Sequence, residues 1–266
     1  MKCFFLDIDG TILPFGKPIP GSAIEAVEYA RRNGNKVFVA TGRAKAEFPS
    51  LDPIVFDGYV YSAGAAVSID GKLILDLHVS GSDHEELSSY FGKRGLHPMF
   101  QTDVGTFMEE ETYDLFQYYS MKFIGRPIEL GGLVRKKMPE SLLPRKYLYL
   151  ASEGGFKAND VQRELPDSFK YVPNTLGFPQ SLAGEVQMAS VTKASGIRAV
   201  LSYLGMDISD AVAIGDGSND IEMVMDAGCG IAMGNASDDL KAVSDYIAKD
   251  IEDDGLKDAI MHALGE

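Results

Sequence analysis

Short apolar runs recur along this chain, and between them lie stretches whose apolar residues are three or four positions apart. The runs are almost continuously apolar, which is typical of strands buried on both faces of a parallel sheet. The wider spacing predicts amphipathic helices. Strands are predicted over residues 3–6, 35–40, 58–62, 146–151, 210–214 and 230–233, with a hairpin around Asp70-Gly71. Helices are predicted over residues 21–33, 82–94, 155–165, 194–204 and 219–227, with a last helix after Gly255.

The alternation of strands and helices is interrupted in the middle of the chain. From about residue 80 to 185, tyrosine, phenylalanine and proline become frequent and the regular strand pattern disappears. At 266 residues the chain exceeds the usual size of one domain. We therefore predict an α/β catalytic domain made of residues 1–79 and 186–266, with a separate mixed α/β module inserted over 80–185.

Three of the predicted strands end in small or acidic polar residues. Asp7 and Asp9 follow the first strand, Thr41-Gly42 follows the second, and Asp216 follows the strand over 210–214. Residues two apart in an extended chain point to the same side, so the first two carboxylates share one space. By itself Asp9-Gly10 is equally typical of a simple turn. Ligands of open parallel sheets bind outside the carboxyl ends of the strands, and the threefold recurrence favours a site there.

The acidic residues predict oxygen-based metal and phosphoryl chemistry. Asp7 comes first after the strand and is the better candidate nucleophile, and Asp9 is placed to act as general acid and base. Asp216 supplies a further oxygen ligand from a different strand. Carboxylate, carbonyl and water oxygens select Mg²⁺ over zinc or copper. We therefore predict a Mg²⁺ site on Asp7, Asp9 and Asp216.

Several other polar residues have both a functional and an ordinary interpretation. Thr41 and Gly42 offer a hydroxyl and an open N–H to a phosphate oxygen, or they only begin a loop. Lys193 is either a counter-charge for a phosphoryl group or a surface lysine. Asn219 suits hydrogen bonding to phosphate or to the Asp216 backbone, and Asp220 suits a supporting contact or the acidic start of a helix.

Composition narrows the class of partner. The net charge of −14 disfavours nucleic acid and anionic membranes as partners, because both would be repelled. Cys3 and Cys229 form no disulfide framework, no secretory signal precedes Asp7, and no apolar stretch is long enough to span a bilayer. These features predict a cytoplasmic protein, and the sequence leaves open whether it is a monomer or a small homo-oligomer.

In this order, four motifs resemble those of the haloacid dehalogenase superfamily: Asp7-Ile8-Asp9-Gly10-Thr11, Thr41-Gly42-Arg43, Lys193, and Gly215-Asp216-Gly217-Ser218-Asn219-Asp220. The insert between the second and third motifs is similar to that of the Cof-type phosphatase subfamily, as are residues 230–236 and 254–255. The resemblance implies a Rossmann-like doubly wound parallel-sheet core with an inserted α/β cap domain. It also implies hydrolysis of phosphomonoesters through an aspartyl-phosphate.

The resemblance also assigns roles to individual residues. It implies Asp7 as nucleophile and Asp9 as acid/base, with Mg²⁺ held by the Asp7 carboxylate, the Asp9 backbone carbonyl and Asp216. Phosphate would be bound by the Ile8 backbone, Thr41, Gly42, Lys193 and Asn219. The chain departs from the subfamily at Ala63, where asparagine is usual, and at Ala194, where glycine is common.

The function predicted from these residues is hydrolysis of a small phosphorylated metabolite, either a sugar phosphate or a nucleotide-like phosphate. Two alternatives remain open: a phosphomutase acting on sugar phosphates, which would share the aspartyl-phosphate, and a catalytically silent phospholigand-binding protein. The intact Asp7 and Asp9 disfavour the silent protein. The sequence does not identify the substrate or the cap residues that select it.

Overall fold

The computed structural model describes residues 1–128 and 131–266. Its strands, in chain order, are β1 (Cys3–Leu6), β2 (Lys36–Ala40), β3 (Gly58–Tyr61), β4 (Ala66–Ile69), β5 (Lys72–Asp76), β6 (Leu96–Thr102), β7 (Gly105–Met108), β8 (Leu133–Arg135), β9 (Lys146–Ala151), β10 (Phe169–Pro173), β11 (Ala183–Met188), β12 (Ala211–Gly215), β13 (Cys229–Ala232) and β14 (Tyr246–Ile247). The α-helices are α1 (Gly21–Arg32), α2 (Gly81–Arg94), α3 (Glu110–Tyr119), α4 (Lys193–Leu204), α5 (Ile221–Asp226), α6 (Asp238–Lys241) and α7 (Gly255–Leu264). None of the helices in these described ranges is long and apolar enough to cross a membrane.

The chain divides into two compact units. Unit one comprises Met1–Gly42, Ser50–Asp76 and Val191–Glu266, and unit two comprises Arg43–Pro49 and Leu77–Ser190. The division differs from the predicted ranges because β11 pairs with strands of unit two and residues 43–49 also belong to that unit. Both differences arise from contacts between residues far apart in the sequence.

The sheet of unit one has the order β14-β13-β12-β1-β2-β3-β4-β5. The strands from β14 to β3 are parallel, and β4 and β5 continue the sheet as an antiparallel hairpin. β1 lies between β12 and β2, with Cys3 opposite both Ala211 and Lys36. All four residues of β1 are buried, as expected for a central parallel strand. This arrangement confirms the predicted parallel α/β core.

The helices of unit one follow the predicted periodicity, with shifts at their ends. α1 and α4 lie within one residue of their predicted bounds. The single helix predicted over 219–227 is instead a 3-10 turn, Ser218–Asp220, followed by the short α5. The difference arises because the carboxylate of Asp220 accepts hydrogen bonds from the N–H groups of Asp216 and Gly217, which tightens the turn.

Unit two contains a second sheet, with strand order β10-β11-β9-β6-β7-β8. All its pairs are antiparallel except β7 with β8. One apolar cluster contains Leu87 and Phe91 of α2, and another contains Phe116 and Tyr119 of α3. The helix predicted over 155–165 is a 3-10 helix, Ala158–Arg163. Unit two is therefore a mixed α/β module, as the sequence predicted.

Candidate active site

The carboxyl ends of the central strands of unit one bring the predicted acidic residues together. Asp7 follows β1, and its N–H donates to the carbonyl of Ile214 in β12 at 3.0 Å. Asp216 follows β12 directly. The parallel register of β1 with β12 therefore places the two carboxylates at the same edge of the sheet.

A buried lysine connects the acidic residues. Lys193 is the first residue of α4, where the Thr192 side chain caps the helix by accepting from the N–H of Ser195. Its Nζ donates to Asp7 Oδ1 at 2.6 Å and to Asp220 Oδ1 at 2.5 Å. The Lys193 side chain is only 1% exposed. The surface interpretation of this lysine is therefore wrong.

Asp220 links the lysine to the loop that carries Asp216. One of its oxygens accepts from Lys193, and the other accepts from the N–H groups of Asp216 at 3.1 Å and Gly217 at 3.0 Å. The residue is completely buried. Asp220 thus orients both the Lys193 ammonium and the loop that carries Asp216. It does more than the acidic start of a helix, the ordinary interpretation of this residue.

The donor set at this edge fits a hard divalent cation. Carboxylate oxygens of Asp7, Asp216 and Asp220 all lie within 4.8 Å of one another. When ionised, they carry three negative charges against the single positive charge of Lys193, a sum of −2. A set made only of oxygen atoms with excess negative charge suits Mg²⁺. The Asp9 carboxylate is not a member of this group of described residues, and the atom of Asp9 that the family resemblance implies as a ligand is its backbone carbonyl.

Burial and mutual repulsion raise the pKa of two of these acids. Burial raises the pKa of Asp7 to about 7, with Asp220 and Asp9 adding to the rise and Lys193 opposing it. The pKa of Asp216 is raised to about 8, first by burial and then by Asp7 and Asp220. Burial alone would lower the pKa of Lys193, but Asp220 and Asp7 raise it above its ordinary range. The lysine therefore stays charged.

Gly10 allows the first motif to approach Asp216. It has φ +80°, and a Cβ atom there would lie 2.1 Å from Asp216 Oδ2. The side chain of Asn235 donates from Nδ2 to the Gly10 carbonyl at 2.8 Å, and its Oδ1 accepts from the N–H of Ile251. Asn235 thus stabilises the turn at Gly10. The sequence analysis included Asn235 only within residues 230–236, which are similar to the Cof-type subfamily, and gave it no role.

The predicted phosphate-binding residues lie at the same edge or next to it. Thr41 follows β2 and is 1% exposed, and Gly42 is the last residue of its segment of unit one. Asn219 lies in the 3-10 turn beside Asp220 and is half-buried. The Ile8 side chain is buried, and its carbonyl accepts from the N–H of Leu13 at 2.8 Å. Their roles in binding phosphate stay predictions.

Ala63, where the subfamily usually has asparagine, lies in an unusual turn after β3. Ser62, Ala63 and Gly64 have φ values of 49°, 55° and 100°. Asparagine and glycine adopt this left-handed region more readily than alanine does. The N–H of Ala63 donates to the Thr41 carbonyl at 3.0 Å, so the turn keeps its connection to β2 despite the substitution.

The same turn contacts the beginning of α4. A Cβ atom at Gly64 would lie 1.9 Å from the carbonyl oxygen of Thr192. This close approach requires glycine, and it places the turn directly against the residue that precedes Lys193.

Comparison with known proteins identifies the family. The model of the haloacid dehalogenase-like hydrolase family matches residues 4–260. The chain therefore belongs to this family, as the motifs indicated.

Among individual relatives, YkrA of Bacillus subtilis (strain 168) is 29% identical over 263 residues, which are 97% of this chain and 96% of YkrA. The 5-amino-6-(5-phospho-D-ribitylamino)uracil phosphatase YcsE of the same organism is 24% identical over 267 residues, 98% of this chain and 95% of YcsE.

Solved structures of the superfamily share the fold. The phosphatase BT1666 from Bacteroides thetaiotaomicron matches with a TM-score of 0.82 and 25% identity, over 98% of this chain and 94% of that one. The subclass IIB sugar phosphatase BT4131 matches with a TM-score of 0.81 and 26% identity, over 100% of this chain and 99% of that one. The chain is a phosphatase of this superfamily.

Proposed function

We propose that the protein is a Mg²⁺-dependent phosphomonoesterase that hydrolyses a small phosphorylated metabolite through an aspartyl-phosphate on Asp7. The observation that carries this proposal is the buried contact of Lys193 with Asp7 and Asp220, beside Asp216. It provides a fixed carboxylate, a fixed positive charge and a set of oxygen ligands at one sheet edge.

In the proposed first half-reaction, a carboxylate oxygen of Asp7 attacks phosphorus and the bond from phosphorus to the ester oxygen breaks. Asp9 donates its proton to the departing alcohol. In the second half-reaction, Asp9 takes a proton from water, whose oxygen attacks phosphorus and releases inorganic phosphate and the Asp7 carboxylate. Bound Mg²⁺ would supply charge neutralisation at the phosphoryl oxygens.

Lys193 has a positioning and an electrostatic part in this scheme. Because phosphoryl transfer depends mainly on positioning and charge stabilisation, a buried ammonium fixed at 2.6 Å from the nucleophile favours the reaction. Thr41, Gly42, Asn219 and the Ile8 backbone complete the proposed phosphate contacts.

The substrate class that we propose draws on the relatives. One is named 5-amino-6-(5-phospho-D-ribitylamino)uracil phosphatase, and one is described as a sugar phosphatase. We propose a sugar phosphate or a nucleotide-like phosphate as the substrate. From the two cysteines, which form no disulfide, and the negative charge, we propose a cytoplasmic location without a nucleic-acid or membrane partner.

The test is release of inorganic phosphate from a panel of phosphorylated metabolites with Mg²⁺. We expect Asp7→Asn to abolish release and Asp9→Ala to reduce it by at least about a hundredfold. Phosphate release by Asp7→Asn at the wild-type rate would exclude the covalent route. Isomerised sugar phosphate without free phosphate would instead indicate a phosphomutase, and binding without either product would indicate a silent binding protein.

A further inference from the structure

A short loop, residues 233–237, follows β13 in unit one and contacts the loop that carries Asp216. The N–H of Met233 donates to the Gly215 carbonyl at 2.9 Å, and the N–H of Ser237 donates to the Asp216 carbonyl at 2.9 Å. These two bonds join backbone groups of the two loops. They fix the backbone of Asp216 from one side.

The side chain of Asn235 connects the same loop to the first acidic motif. Its Nδ2 donates to the Gly10 carbonyl at 2.8 Å, and its Oδ1 accepts from the N–H of Ile251 at 3.1 Å. A carbonyl accepts and a backbone N–H donates, so this orientation of the amide satisfies both partners and the reverse orientation satisfies neither. Neither a carboxylate nor an aliphatic side chain could make both bonds.

The turn that Asn235 holds also carries a candidate metal ligand. The N–H of Gly10 donates to the Leu13 carbonyl at 3.0 Å. The peptide group that joins Asp9 to Gly10 is planar, so this bond also fixes the direction of the Asp9 carbonyl, the atom that the family resemblance implies as a Mg²⁺ ligand. Asn235 holds the next carbonyl along the chain. Together the two bonds orient the peptide groups on both sides of Gly10.

This turn also contacts the carboxylate of Asp216. A Cβ atom at Gly10 would lie 2.1 Å from Asp216 Oδ2, and the hydroxyl of Thr11 donates to Asp216 Oδ1 at 3.4 Å. A shift of the turn would therefore move the Asp9 carbonyl and change the surroundings of the Asp216 carboxylate. Repulsion among the ionised carboxylates of the site favours separation of these loops without metal, and the bonds of the 233–237 loop oppose that separation.

We propose that Asn235 is a positioning residue that sets the affinity of the site for Mg²⁺. It keeps the Gly10 turn against the Asp216 carboxylate, so that the oxygen ligands are arranged before the cation binds. Asn235 is exposed and its two hydrogen bonds go to backbone groups, so it acts through the turn and not on the substrate. The proposal rests on the Mg²⁺ dependence of the proposed function and deepens it.

The principal test is calorimetric titration of Mg²⁺ into the metal-free wild type and into Asn235→Ala, without substrate. Alanine removes both polar atoms of the side chain. We expect Kd for Mg²⁺ to rise about five- to tenfold, the loss typical of the one hydrogen bond that holds the turn. The rise in Tm that Mg²⁺ causes should become smaller in the same variant.

Phosphate release from p-nitrophenyl phosphate gives a second readout. The concentration of Mg²⁺ that gives half of the maximal rate should increase by the same factor in Asn235→Ala. At saturating Mg²⁺, kcat should change less than about threefold, because the bound cation then holds the turn in place of the lost hydrogen bond. A residue that acts on the reacting atoms would instead lower kcat at every concentration of Mg²⁺.

Asn33→Ala is the matched control. Asn33 is also exposed and donates from Nδ2 to a backbone carbonyl, that of Tyr29, at 2.9 Å. It ends α1 and precedes β2, so it lies at the amino-terminal edge of the parallel strands, opposite the site. This variant should melt slightly earlier than the wild type in a chelator, as Asn235→Ala should, and should keep the wild-type affinity for Mg²⁺.

A second variant separates the hydrogen bonds from the volume of the side chain. Asn235→Leu keeps the approximate volume but removes both polar groups, and it should bind Mg²⁺ as weakly as Asn235→Ala does. Circular dichroism in the chelator shows that each variant is folded.

Three outcomes would overturn the role of Asn235. They are wild-type affinity for Mg²⁺ in Asn235→Ala or in Asn235→Leu, equal losses of affinity in Asn235→Ala and Asn33→Ala, and a lower kcat at saturating Mg²⁺ with unchanged affinity. If the wild type releases phosphate from no phosphorylated compound, the proposed function fails. The calorimetric titration uses no substrate, so it still decides whether Asn235 sets the affinity for Mg²⁺.

Discussion

Replacing Asp220 with asparagine tests whether this residue holds the site together. Asparagine has the same shape, and its oxygen can still accept from the N–H groups of Asp216 and Gly217. Its amide nitrogen would then occupy the position of Asp220 Oδ1, which lies 2.5 Å from Lys193 Nζ in the wild type. Two donors would point at each other in a fully buried place.

The size of the effect follows from two opposing contributions. Loss of a hydrogen bond between charged groups costs about 1.5–3 kcal/mol. Removal of one of three carboxylates that lie within 4.8 Å of one another relieves repulsion on the order of 3 kcal/mol at an effective dielectric constant of about 20. Bound Mg²⁺ would already neutralise that repulsion, so its relief matters mainly in the metal-free protein above about pH 8, where Asp7 and Asp216 have lost their protons.

We therefore expect Asp220→Asn to lose about 2 kcal/mol of unfolding free energy in saturating Mg²⁺ and distinctly less in a chelator above about pH 8. We also expect kcat/KM to fall about ten- to a hundredfold, because Lys193 loses one of its two anchors. The assays are urea denaturation followed by circular dichroism, since the chain has no tryptophan, and phosphate release.

Asp226→Asn is the matched control. Asp226 also pairs with a cation, Arg198, but that pair is exposed, with side-chain exposures of 56% for Arg198 and 40% for Asp226. An exposed pair contributes at most about 1 kcal/mol. If Asp220→Asn loses no more stability or activity than Asp226→Asn, the positioning role of Asp220 is refuted.

Two further predictions concern the metal site. Gly10→Ala should reduce activity by at least about tenfold and weaken Mg²⁺ activation, because its Cβ would meet the Asp216 carboxylate at 2.1 Å. Gly34→Ala is the control, because Gly34 has φ +79° with open space around it, so that the substitution imposes similar backbone strain. This variant should keep its activity and its activation by Mg²⁺. Equal losses in the two variants would contradict the role of the contact between position 10 and the Asp216 carboxylate. The second prediction concerns the pH dependence of stability without metal. In the folded protein the carboxyl groups of Asp7 and Asp216 keep their protons up to about pH 7 and about pH 8, whereas in the unfolded chain they lose them near the ordinary pKa of 3.8. The contribution of these two groups to the free energy of unfolding therefore falls as pH rises between these values. Mg²⁺ competes with those protons, and the rise in Tm that it causes should be larger at pH 8 than at pH 6; an equal or smaller rise at pH 8 would contradict this linkage.

The convergence of distant residues on one sheet edge was predictable from the sequence. Asp7 and Asp216 each follow a short apolar run, and parallel strands bring their carboxyl ends to one edge. Lys193 was ambiguous, because nothing local distinguishes a buried lysine at the start of a helix from an exposed one. Its role became clear only with the two carboxylates that contact it.

Other features depend on contacts that no local pattern encodes. Glu47 lies in a short, ordinary segment, and its place in unit two depends on Gln101 and Thr106, more than fifty residues away. A row of buried polar residues across four strands of unit two, formed by Gln187, Lys146, Gln101 and Thr106, is equally hidden, because Lys146 begins a run that looks like an ordinary buried strand. Only the register of three strand pairs shows that its polar residues are neighbours.

The most direct test of the central claim is to locate the phosphoryl group during turnover. The wild-type protein, incubated with Mg²⁺ and a phosphate-labelled substrate and then quenched in acid, should carry an acid-stable, hydroxylamine-sensitive label on the peptide that contains Asp7. The label should be absent from Asp7→Asn. Rapid hydrolysis with no label on Asp7, or with the label on another residue, would contradict the account.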